Sequence, residues 1–129
     1  MFNHLYIGSN DMDASRKFYG AIFSALGRET AIDLPNGGIA YPGEGGTFIV
    51  APPADGEAAP AYNGFTLGLQ AADYATVEAF HKAGLENGGK DAGEPGFREN
   101  SPGNMYGAYL YDPCGQKLCA YAPNVGPRD

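Results

Sequence analysis

The 129-residue chain is long enough for one domain with a buried core, and 43% apolar residues place it among globular rather than disordered chains. A formal net charge of −7, from 15 acidic and 8 basic residues, argues against a nucleic-acid surface, which needs clustered Lys and Arg. No apolar run approaches the ~18 residues of a membrane span, and 20 glycines with 10 prolines favour short elements and many turns over a helical bundle. The first residues, Met1 to Tyr6, show no basic segment leading into an apolar one, so no signal peptide is expected and the expected location is the cytoplasm.

Taken in order, Phe2 to Gly8 reads as a strand. Ser9, Asn10 and Asp11 supply capping residues, and Phe18, Tyr19, Ile22, Phe23 and Leu26 recur at helical spacing up to Gly27, a residue suited to ending a helix. Short strands are expected over 29–34, 38–41 and 47–51, separated by Pro- and Gly-rich turns. Residues 52–63 are rich in Pro, Ala and acidic side chains, without a period, and read as a linker. A strand over 64–70 follows, then a cap at Asp73 and a helix with Val77, Phe80, His81, Gly84 and Leu85 along one face. The stretch KDAGEPGFRENSPGN is expected to be a long loop with a short strand near Phe97 and Arg98. Tyr106 to Tyr121 reads as a β-hairpin turning at Asp112-Pro113-Cys114-Gly115, and the last six residues as a loose tail. Along the first hairpin strand, parity puts Tyr109 and Tyr111 on one face and Tyr106 on the other. Cys114 and Cys119 lie across that hairpin, where a disulfide would close a tiny loop in awkward geometry, so reduced thiols are expected.

The halves repeat at an offset of 62: His4 onto Thr66, Ile7 onto Leu69, Asp11 onto Asp73, Phe18 onto Phe80, Tyr19 onto His81 and Gly27 onto Gly89. The expected architecture is therefore α+β, with two tandem βαβββ modules packed as a pair. Module one spans 1–53, the linker 54–63, module two 64–123 and the tail 124–129.

A duplicated βαβββ of this length resembles the vicinal oxygen chelate superfamily, which includes glyoxalase, bleomycin-resistance and extradiol-dioxygenase proteins. The match runs over about residues 2–122. It is carried by NHLYIGSNDMDASRKFYGAIFSALG, by VEAFHKAGLENGGKDAGEPGFR and by YGAYLYDPCGQKL, which resemble a glyoxalase-like branch. The resemblance implies a cupped mixed sheet holding a small-molecule site, and often a homodimer that completes the cups. It also implies a divalent ion (Zn, Ni, Mn or Fe) with ligands on the first and last strands of each module. His4 matches the first ligand. Thr66 stands where a second histidine is usual, Cys119 where glutamate is usual, and the remaining position falls near Phe48 or Ile49. A metal in the family form is thus not expected; a variant ion would have His4 and Cys119.

Three uses of such a cup stay open. One is a glyoxalase-like lyase or isomerase, or a dioxygenase relative, with a degenerate metal site and an atypical centre at His4. Another is a metal-free binding or sequestering protein of the bleomycin-resistance type, for which an acidic chain suits a cationic ligand. The third is a thiol-dependent role for Cys119. Thr66, Arg98, Tyr106, Tyr109 and Phe48 are the candidate substrate-binding residues, Arg98 because its guanidinium can hold a carboxylate or phosphate by two bonds. His81 lies on an apolar helix face, which suits a buried histidine bonded to a neighbouring loop.

Overall fold

Ten elements follow one another in a computed structural model that describes all residues, 1–129. The first module holds β1 (His4–Gly8), α1 (Met12–Ala25), β2 (Ile32–Asp33), β3 (Ile39–Gly43) and β4 (Gly46–Ala51). The second holds β5 (Leu67–Gln70), α2 (Tyr74–Glu86), β6 (Lys90–Phe97), β7 (Tyr106–Tyr111) and β8 (Lys117–Ala122). The expected α+β pair of βαβββ modules is what the chain forms.

Each helix begins where an aspartate can accept a backbone N–H. Asp11 accepts from Ala14 and Asp73 from Thr76, both from extended backbone. Each helix ends on a glycine in the left-handed region, Gly27 at φ +80° and Gly88 at φ +97°. The second stop is therefore one residue earlier than the repeat offset predicts, because α2 has 13 residues against 14 in α1.

The strands form two four-stranded sheets with orders β1-β4-β3-β2 and β5-β8-β7-β6. In each, the first strand runs parallel to the last, and the remaining pairs are antiparallel. The sheets do not pair with each other. The modules join instead through α1 and α2. Phe18 of α1 lies against Gly84 and Gly89, where a side chain would collide with its ring. Tyr19 crosses to the second module and donates to the Asp112 carboxylate at 2.5 Å. Burial, then that carboxylate, holds the Tyr19 phenol well above its usual value. One core of 19 buried residues draws on both modules.

Two stretches differ from expectation. The stretch after α2 is not a loop: residues 90–97 form the longest strand, β6, with register shifts on either side of Gly93. It is an edge strand, so Pro95 removes no needed ladder bond, and the bulges absorb the glycines. The tail is not loose either. Tyr74 donates to the Gly126 carbonyl, and Arg128 pairs with Glu78 at 2.7 Å. The linker is also tied down. Ala59 exchanges two bonds with the Asn10 side chain, and the fully buried Gln116 side chain bonds Pro60 and Tyr62. Cys114 and Cys119 are both free thiols.

Candidate functional site

A strand has two faces, and the helices occupy one face of each sheet. Phe48 faces α1: it is 5% exposed, with its ring 4.8 Å from Tyr19 and 5.6 Å from Phe23. Tyr106 faces α2, packs on Tyr74 at 4.6 Å and donates to Glu78. Both are expected from the sequence to contact substrate, but both are core positions instead, because alternation turns them away from the open face.

On the open face of the second sheet, the pairing register lines residues up in rows across the strands. The middle row is Gly68, Cys119, Tyr109 and Gly93. A row to one side holds Gln70, Tyr121, Gly107 and Gly96. On the other side stand Lys117, Tyr111 and Lys90. The rows alternate small and large. Gly107 makes room for the Tyr121 ring, which would lie 2.5 Å from a Cβ at that position. Tyr121 in turn meets Tyr109 edge to face, and their hydroxyls share one hydrogen bond at 2.6 Å.

Arg98 reaches this face by folding back over β6. Its guanidinium donates to the Glu94 carbonyl, and it stands 5.5 Å from the Tyr109 ring centre. A Cβ at Gly93 would meet Nη2 at 3.2 Å, and one at Gly96 would meet Nη1 at 3.6 Å. The two glycines thus let the guanidinium lie close to the sheet. Lys117 Nζ stands over the same Tyr109 ring at 5.1 Å. Neither cation has a carboxylate partner: the chain's ion pairs are Arg16–Asp33, His81–Asp91 and Arg128–Glu78. Beneath them, burial pushes the Cys119 thiol up to about 11, against the pull of the Tyr109 hydroxyl, Lys117 and Arg98. Burial and then the Tyr121 hydroxyl raise the Tyr109 phenol as well.

The open face of the first sheet has the same layout but other chemistry. Tyr6, Ile49, Ala40 and Ile32 form the row equivalent to Gly68–Cys119–Tyr109–Gly93. His4 shares a row with Thr47 and Pro42. It is exposed, and its Nδ1 pairs with the Asn3 side chain at 2.6 Å. Thr66, one residue before β5, is exposed beside the free edge of the second sheet. His4 on one sheet is thus not joined to Thr66 and Cys119 on the other.

The family's divalent ion does not fit these residues. The four ligand positions carry an imidazole, a hydroxyl, a protonated thiol and, at Ile49, an alkyl group. No three His, Cys, Asp or Glu side chains converge to hold an ion. His81 is buried in α2 and bonds Asp91 on β6 at 2.9 Å, which with the Gly93 N–H holds the Asp91 carboxyl below its usual range. That is a strand partner rather than a loop partner, because the expected loop is β6.

Lys117 is one of two basic residues, with Arg98, that the sequence places near a cup, whereas Tyr121 was not among the expected site residues. Parity with Cys119 carries the signal: 117, 119 and 121 share one face.

No protein-family model and no curated protein matches the chain. Solved structures do. A glyoxalase/bleomycin resistance protein from Albidiferax ferrireducens T118 is 40% identical, with a TM-score of 0.88 over 94% of this chain and 98% of that one. A glyoxalase-related enzyme from Fulvimarina pelagi is 19% identical, with a TM-score of 0.76 over 100% and 92%. A lactoylglutathione lyase from Agrobacterium tumefaciens is 17% identical, with a TM-score of 0.65 over 95% and 92%. These last two share the fold with this chain.

Proposed function

Because the chain belongs to the glyoxalase/bleomycin resistance protein family, we propose that it binds a small organic molecule on the open face of its second sheet, without the family's metal ion. The donor set carries this reading. One exposed imidazole, a hydroxyl, a thiol held up to about 11 and an isoleucine do not make the three-ligand site that metal catalysis needs. The same face offers what an organic ligand needs: two aromatic rings and cationic side chains with unused donors. The proposal includes a homodimer. The outer edges of β1 and β5 have no strand partner, and Thr66, Gly68 and Gln70 beside them are exposed. It also includes a cytoplasmic location, which two free thiols support.

Metal content tests the central claim. Untagged protein is offered zinc, nickel, manganese and ferrous ions in turn, freed of unbound metal and assayed. The expected result is far below one ion per chain for all four. About one ion per chain, lost in His4→Ala, overturns the reading. That outcome favours the second reading, a lyase, isomerase or dioxygenase relative centred on His4, whose imidazole is exposed and whose Nε2 has no protein partner. Light scattering on the same sample is expected to give twice the chain mass.

A further inference from the structure

The face proposed to hold the ligand has a local charge opposite to that of the whole chain. Of eight basic residues on a chain of net charge −7, Arg98 and Lys117 stand over one tyrosine ring, half-buried and without carboxylate partners. Arg98 has one donor committed, to the Glu94 carbonyl. Its remaining N–H groups and the whole Lys117 ammonium are free to donate. The Tyr109 and Tyr121 hydroxyls share a single bond between them, and Tyr109 also reaches the Cys119 sulfur. All these donors lie around the row Gly68–Cys119–Tyr109–Gly93, whose only large side chain is Tyr109. An acceptor-rich group seated there would meet donors from β7, from β8 and from Arg98, the residue that follows β6. A cationic ligand would meet two like charges. Asp91, which feels the Arg98 charge, already accepts from His81 and from the Gly93 N–H.

We infer that the ligand presents an anionic head, a carboxylate or phosphate carried on a flat apolar body, to Arg98 and Lys117, which both stand over the Tyr109 ring. This rests on the open-face reading proposed above and names the class of ligand it takes. Charge-assisted bonds to a guanidinium and an ammonium favour such a head, and the half-buried Tyr109 and Tyr121 rings suit a flat body.

The test uses intact protein with 13C-labelled tyrosine, its Tyr109 and Tyr121 ring signals assigned with Tyr109→Phe and Tyr121→Phe. The probes are benzoate, phenyl phosphate, benzamide and benzyltrimethylammonium at constant ionic strength. Benzoate or phenyl phosphate is expected to move both ring signals saturably, and the stronger of the two identifies the head. Benzamide is expected to bind at least tenfold more weakly, and the cation not at all. Arg98→Gln and Lys117→Gln are each expected to weaken the anion about tenfold with unchanged circular dichroism. If benzamide or the cation binds as well as the anions, or if both Gln variants bind the anion like the parent, the anionic class is wrong while the open-face site survives. If no probe moves either ring, the inference and the open-face reading fall together.

Discussion

Cys119 shows how a single residue's surroundings decide its chemistry. It sits where the family resemblance implies a glutamate, in the middle of a sheet, 5% exposed and flanked by Gly68 and Tyr109. A thiolate is the reactive form of cysteine, and burial holds this thiol up to about 11 despite two nearby cations. Because its value is raised, the thiolate is scarce at neutral pH and grows only as pH climbs towards that value. Alkylation by iodoacetamide at pH 7.5 is therefore expected to modify the half-exposed Cys114 and spare Cys119, with Cys119 labelling rising steeply above pH 9. Peptide mass spectrometry reads both sites. Fast Cys119 labelling at pH 7.5 would restore the thiol-dependent role.

At the level of elements, the two helices approach closely because α2 carries Gly84 on its inner face. A methyl group there would collide with Leu110 on β7 and press on Phe18 of α1. Replacing glycine by alanine inside a helix ordinarily stabilises by about 0.5–1 kcal/mol. Overpacking a closed core costs about 1–3 kcal/mol. The clash involves two elements at once, so the second effect wins, and Gly84→Ala is expected to lower the urea midpoint. A rise in the midpoint would show that α1 and α2 can separate without cost. Helices, caps and the hairpin were legible in the sequence because their signals are local: an aspartate before an apolar period, a glycine after it, an Asp-Pro-x-Gly turn. β6 was not. Pro95 and four glycines at 88, 89, 93 and 96 mimic loop composition, and only the edge position, a tertiary fact, makes them tolerable in or beside a strand. The site was legible in part. Parity separates Tyr109 from Tyr106, yet it does not say which face the helices cover. Arg98 joins Tyr109 only through a fold-back over Gly93 and Gly96 that no spacing rule encodes.

For the whole molecule, the shared core matters more than the duplication. Tyr19 of the first module bonds Asp112 of the second, and the linker is stitched to Asn10 on one side and Gln116 on the other. Neither module can open without exposing part of the common 19-residue core. Unfolding in urea is expected to be a single transition, with circular dichroism and tyrosine fluorescence superimposing. Two separated transitions would mean that the modules are independently stable. The duplication has a different consequence, which lies in the unlike open faces of its two sheets. One sheet has an apolar row, Tyr6–Ile49–Ala40–Ile32, where the other has Gly68–Cys119–Tyr109–Gly93 beneath two cations. A symmetric pair of chains that set each sheet against its unlike counterpart would enclose two identical chambers, each greasy on one wall and charged on the other. Such a chamber would hold an amphiphile in one orientation only, so that repetition within the chain and symmetry between chains would together produce polarity.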